Sequence, residues 1–413
     1  MHWLAITLLL LFTTAVSGEE LWIDDGAGTE FAVHTEAADS DLLVIWFVDH
    51  DEPRPPFDDM LAALNRLDVE VWRVDLLAAY FLPRTSETVR TLPGTGVAAV
   101  IHAAHQLRTK QILLASYDRM ALPLLRGVQL WQQTAADSRL IGAMLFYPNL
   151  FGPPPLAGEE PQIDPILHAT NIPLVIYQPA LGSQRWRLGA VTDALWRGGS
   201  ATYVYLVPGV RDWFFMGEED HGPAARTATE ALPGQIRRFA DLLASHPKPL
   251  TAGPVNGSTT ARGQIRTLVE LDRPGEAPAF SLEAIDGSPY DSGNFRDKVV
   301  LLNFWATWCP PCVEELPSLN RLQARYTGSD LRIISVDFRE TPQQMADFLE
   351  RIPVAFPVLM DNTGKVALNW RVFSFPSTFI IDRQGRIRYS ANRAIDWDSP
   401  EVWKVVDRLL KEQ

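Results

Sequence analysis

The chain has 413 residues, 46% of them apolar and 21% charged, which is room for two or three domains with ordinary cores. Fifty Asp and Glu against 37 Lys and Arg leave a net charge of −13, which argues against nucleic-acid binding and against a generally basic membrane-binding surface. After the N-terminus no apolar run approaches the length of a membrane-spanning helix.

Residues 1–18 carry an apolar stretch, Leu4 to Phe12, closed by the small residues Ala15-Val16-Ser17 and followed by the acidic pair Glu19-Glu20. This is the pattern of a cleavable secretory signal, with a retained anchor as the alternative. Its n-region has His2 but no Lys or Arg, and no cysteine marks a lipoprotein site. Leu21–Ile23 and Phe31–Val33 read as a short hairpin or two edge strands. Strands are expected over Asp41–Val48, Val69–Asp75, Gln111–Ala115, Leu140–Tyr147, Pro173–Tyr177 and Thr202–Val207. Helices are expected over Phe57–Leu67, Val97–Gln106, Arg119–Thr134, Arg187–Trp196 and Gly234–Ser245. This alternation predicts an α/β domain over residues 19–245, a doubly wound parallel sheet with helices on both faces. Residues 246–263 are poor in large apolar side chains and read as a linker, with a second domain over 264–413. His102 and His105 on one helix read as ordinary polar-face residues, because no third metal ligand is evident.

The most informative stretch is Val299–Pro317, V-V-L-L-N-F-W-A-T-W-C-P-P-C-V-E-E-L-P, which holds the only two cysteines. Val299–Trp305 has strand length and composition. Val313, Leu316, Leu319, Leu322 and Tyr326 recur at helical spacing. Cys309 therefore sits at a strand-to-helix junction, with Cys312 in the first helical turn. Free N–H groups and the helix dipole at that position lower the pKa of a thiol below about 8.5. Two intervening residues let the second sulfur reach the first, so thiolate attack, mixed disulfide and resolution are the chemistry supported. Pro310 is tolerated in the first turn. Half of a zinc site and a structural disulfide are the bland alternatives. Zinc needs four ligands, and no second C-x-x-C or H-x-x-x-H supplies them.

The W-A-T-W-C-P-P-C run at Trp305–Cys312, with Glu315 and Pro317, resembles the thioredoxin superfamily, and more narrowly the exported TlpA/ResA-like thiol:disulfide oxidoreductases. Gly275, Pro278 and Phe280 with Asp286-Gly287, Phe356–Leu359 with Asp361 and Gly364, and Phe375–Asp382 with Gly385 are similar to further motifs of that family, from about Leu271 to Gln413. The resemblance implies a thioredoxin fold and a cis peptide at Pro376, which sets Phe375 and Ser377 as a docking edge for substrate, with Trp308 at the rim. Cys309 is the attacking thiol and Cys312 the resolving one, joined as Cys309–Cys312 in the oxidised form. Glu315, three residues after Cys312, is the proton relay candidate, since Asn303 stands where thioredoxin carries a buried aspartate. A solvated helix residue is the alternative role for Glu315. The resemblance further implies a reductase in a Gram-negative periplasm, with cytochrome c maturation as the family's usual setting. Its partners are disulfide-containing exported proteins and a thiol electron donor. No cofactor and no metal are expected. Having no spare thiol suits an oxidising compartment.

The element order of residues 19–245 resembles an α/β-hydrolase. Asp118 stands at the nucleophile position after the Gln111–Ala115 strand, His221 where the triad histidine falls, and His50 near the oxyanion loop. Ser116 and Met120 replace the two elbow glycines, and Gln178–Gly182 offers no acid. Two readings stay open: a hydrolase with a carboxylate nucleophile, or a degenerate site kept as a binding module.

Overall fold

The structure, a computed structural model, describes residues 19–50, 52–134, 138–153, 161–217, 222–255, 268–372 and 374–412. The signal-like residues 1–18, His221 and residues 256–263 of the expected linker lie outside the described residues. The chain divides into two compact units: Met1–Phe146 with Ile172–Val175 and Thr229–Ala252, and Tyr147–Asn171 with Ile176–Ala228 and Gly253–Gln413.

The first sheet has eight strands, β1 (Glu19–Asp24), β2 (Glu30–Glu36), β3 (Leu42–Val48), β4 (Glu70–Asp75), β5 (Gln111–Tyr117), β6 (Leu140–Phe146), β7 (Leu174–Pro179) and β8 (Thr202–Val207), in the order β1-β2-β4-β3-β5-β6-β7-β8. Strands β4, β3, β5 and β6 pair in parallel, whereas β1 and β2 form an antiparallel hairpin on the edge beside β4. All seven residues of β3 are buried. Its unbroken apolar run L-L-V-I-W-F-V suits a strand covered on both faces. Helix Pro55–Asn65 contributes Phe57, Met60, Leu61 and Leu64 to the packing. Glu70 is buried at the start of β4 and takes hydrogen bonds from Trp72 Nε1 at 2.8 Å and Arg108 Nε at 2.7 Å, with Lys110 Nζ at 2.9 Å. The last helix of this region runs Gly222–Ala244, twelve residues further upstream than expected, and carries Pro233 within it. The proline made Gly234 look like a start, but tertiary packing of Leu232, Ile236, Ala240 and Leu243 overrides the break.

The second sheet has six strands: β9 (Val269–Glu276), β12 (Val299–Trp305), β13 (Leu331–Phe338), β14 (Val358–Asp361), β15 (Ser377–Ile381) and β16 (Arg386–Ala391). Their order is β14-β13-β12-β15-β16-β9, and a separate hairpin pairs β10 (Ser281–Glu283) with β11 (Pro289–Asp291). β12 is central, parallel to β13 and antiparallel to β15. The strand period of two splits its side chains between two cores. Val299, Leu301 and Trp305 join Leu316, Leu319, Leu322, Val402, Val406 and Leu409 under helices Pro310–Arg325 and Pro400–Lys411. Val300, Leu302 and Phe304 join Phe338, Trp370 and Phe379 on the other face.

Candidate active site

Strand β12 ends at Trp305, and four residues later Cys309 is the N-cap of helix Pro310–Arg325. The Cys309 carbonyl accepts from Cys312 N at 2.9 Å and Val313 N at 3.1 Å, closing the first turn. The two sulfurs form a disulfide, with the Cα atoms 5.3 Å apart. Cys309 is 6% exposed and Cys312 fully buried. The sulfur nearer the helix N-terminus is therefore the one solvent reaches first. The tip of the loop is held from across the sheet. The Glu340 carboxylate, just past β13, accepts from Thr307 N at 2.7 Å and Thr307 Oγ1 at 2.6 Å.

Glu315 lies within the core rather than in solvent, at 3% exposure. One carboxylate oxygen accepts from Asn303 Nδ2 at 2.8 Å; the other accepts from Trp397 Nε1 at 2.9 Å and Ile395 N at 3.4 Å. Burial pushes its carboxyl up to about 7, against the pull of those donors. Asn303 is on the same face of β12 and also donates to Thr378 Oγ1 at 2.8 Å. The side chain that replaces an aspartate thus orients the glutamate. Just before β15, the Phe375–Pro376 peptide is cis. Ser377 faces Phe304 in the β12/β15 register, and its hydroxyl donates to Ser374 O at 2.5 Å. The Phe375 ring lies 5.9 Å from that of Trp308 and 4.8 Å from that of Phe338. A half-buried aromatic edge therefore flanks the disulfide.

Residues 275–390 match the AhpC/TSA family. A thiol-disulfide oxidoreductase ResA from Bacillus thuringiensis subsp. konkukian is 32% identical over 131 residues, which is 32% of this chain and 76% of the relative. The chain belongs to the ResA-like thiol-disulfide oxidoreductases. The thioredoxin-like protein YneN of Bacillus subtilis is 36% identical over 116 residues, 27% of this chain and 67% of that protein. Among solved structures, a thiol:disulfide interchange protein DsbE from Chlorobium tepidum is 28% identical with a TM-score of 0.32, covering 34% of this chain and 99% of that one.

The ResA-like chain is thus an oxidoreductase whose matched part is thioredoxin-like. In the first unit, Asp118 occupies a strand-to-helix junction with φ of 44°, a backbone region that favours glycine. Its carboxylate is paired with Arg119 Nη1 at 2.7 Å. His50 Nδ1 lies 2.5 Å from the Tyr117 hydroxyl, and Ser116 is fully buried. Burial and the neighbouring Asp118 push the Asp49 carboxyl up to about 6. Burial and the Arg54 charge hold His50 down at about 4. His102 Nε2 lies 2.8 Å from Gln106 Nε2, and His105 Nδ1 is 2.8 Å from Ile101 O with its ring on Trp131. Sequence reasoning missed Trp397 and Glu340, since each reaches the site across tens of residues. It also passed over Asp337, whose carboxyl is held well above the ordinary carboxylate range by burial and by Glu340. An aspartate inside the apolar run L-R-I-I-S-V-D-F was the available signal.

Proposed function

We propose that the chain is an exported oxidoreductase that reduces disulfides of periplasmic proteins through Cys309 and Cys312. The observation that carries this reading is the disulfide at a helix N-terminus, with the more exposed sulfur on Cys309. In the reduced enzyme the Cys309 thiolate attacks a substrate disulfide, forming a mixed disulfide and releasing one substrate thiolate. The Cys312 thiolate then attacks the Cys309 sulfur, releasing the second substrate thiolate and leaving the enzyme oxidised. The Glu315 carboxyl is poised near neutrality and exchanges the proton of the Cys312 thiol. Phe375, Pro376, Ser377 and Trp308 form the edge on which the substrate chain lies. A thiol electron donor re-reduces the pair. Export to the periplasm rests on the signal-like pattern of residues 1–18. Service to cytochrome c maturation rests on the resemblance described above.

Titration of the mature protein against glutathione or dithiothreitol tests the direction. A potential near roughly −270 mV supports a reductase, and one near roughly −120 mV a disulfide donor. A pair that does not titrate reversibly removes the redox reading.

We further propose that residues 19–245, read from the sequence as an α/β-hydrolase-like domain, serve as a binding module for the redox client and not as a hydrolase. The support is that Asp118 is tied to Arg119 and His50 to Tyr117, so neither is committed to the other. An Asp118→Asn variant separates the readings. Loss of an ester- or halide-hydrolysing activity present in the parent chain favours the hydrolase; retained client binding with no hydrolysis in either protein favours the module.

A further inference from the structure

Within the second unit, the segment that follows β8 reaches the redox centre. Arg211 is 9% exposed. Its guanidinium stands 5.4 Å from the centroid of the Trp308 ring, and its Nη2 donates to Arg339 O at 2.7 Å. The charges that act on it are Glu340, Asp337 and Asp212. Among the described residues its Nη1 has no hydrogen-bond partner. Glu340 is the carboxylate that holds Thr307 by two hydrogen bonds, and both Glu340 and Asp337 are buried. Two acidic groups thus lie under the loop that leads into Cys309. The cation acting on both of them is supplied by a residue outside the thioredoxin-like stretch 275–390.

A buried carboxylate needs a compensating charge. Without Arg211, the Glu340 charge stands uncompensated against Thr307, two residues before Cys309. A negative charge there disfavours a thiolate; a positive one favours it. Trp308, adjacent to Cys309 and in contact with Phe375, is fixed on one side by the same guanidinium.

We propose that Arg211 is a positioning residue of the redox centre, and that its charge, balanced against Glu340, sets how readily Cys309 ionises and hence the poise of the Cys309–Cys312 pair. This rests on the redox reading given above. Neighbouring contacts show that the approach is continuous. Arg339 Nη1 donates to Ala180 O at 3.3 Å, Arg187 Nη2 donates to Val372 O at 3.1 Å, and the Arg339 guanidinium lies 5.2 Å from the Trp186 ring.

The test is the equilibrium of the full chain with glutathione, together with the pH profile of Cys309 alkylation in the reduced protein. A unit charge roughly 12 Å away, at an effective dielectric of about 20, changes such an equilibrium by about tenfold. Arg211→Met is expected to shift the equilibrium about tenfold towards the disulfide, about 30 mV more reducing, and to move the alkylation profile to higher pH. Glu340→Gln, which removes the opposing charge, is expected to shift both readouts the other way. Arg211→Lys and the double variant Arg211→Met/Glu340→Gln are expected to lie within about threefold of the parent. The inference is overturned if Arg211→Met stays within twofold of the parent, if Glu340→Gln shifts in the same direction as Arg211→Met, or if the double variant is worse than either single one, as a packing defect would be. Should Arg211→Met not fold, the sign of the Glu340→Gln shift decides alone. A parent protein that does not titrate at all overturns the redox reading itself, and this inference with it.

Discussion

Replacing Glu315 by Gln changes a proton inventory without changing shape, and its effect on stability has a calculable size. The carboxyl moves from 4.5 to about 7 on folding because it is buried. A raised folded value means that its stabilising contribution is full below about 4.5 and is lost as the pH climbs through about 7. At about 1.4 kcal/mol per pH unit, the ionised form costs the folded state about 3 kcal/mol above neutrality. Glutamine is neutral throughout. Its oxygen accepts from Trp397 Nε1, while its amino group faces Asn303, whose Oδ1 has no partner among the described residues and accepts once the amide turns over. The expected result is a variant less dependent on pH than the parent. In urea unfolding of the oxidised proteins, the difference in stability between variant and parent grows by about 2.5 kcal/mol in the variant's favour from pH 5 to pH 8. Parallel stability curves, with the difference constant to within about 0.5 kcal/mol, refute the assignment of a near-neutral proton to Glu315.

Three other outcomes follow from the same geometry. Cys312→Ser is expected to accumulate a mixed disulfide with its substrate, visible as a mass shift on non-reducing analysis, whereas Cys309→Ser accumulates none; equal trapping by both variants contradicts the assigned order of attack. Trp397→Phe removes one of the donors that hold Glu315 down, so the pH at which stability falls moves upward in the same urea series. In the first unit, Glu70→Ala leaves Arg108 and Lys110 without their buried partner; a loss of roughly 3 kcal/mol is expected in denaturant unfolding, and a loss below about 1 kcal/mol counts against a buried ion pair there.

The redox centre was readable because its signals are local. The apolar run of β12, the helical spacing after Cys312 and the two-residue gap between the cysteines all fall within Val299–Tyr326, where periodicity and dipole arguments apply directly. Glu315 was legible as a residue of the site but not in its environment. A period-three argument places it on the face of Cys312, but its burial comes from Trp397, which is remote in sequence. Glu340 and Asp337 were illegible for the same reason: what they do depends on β12 and β13 lying side by side. The strands of the first sheet were legible from composition. The long helix Gly222–Ala244 was shortened in the reading by a proline whose local cost tertiary packing absorbs. Asp118 is the converse case. Its positive φ keeps the sharp strand-to-helix turn without the glycines that the turn normally calls for.

The stretch that matches the AhpC/TSA family runs over residues 275–390, yet a guanidinium that interacts electrostatically with Glu340 and Asp337 is at position 211. Portability is what this costs. A fragment cut to residues 275–390 would carry Glu340 and Asp337 without Arg211, so it would be a different electrostatic object from the parent domain. The unit that can be inherited or grafted intact is therefore larger than the one that alignment delimits.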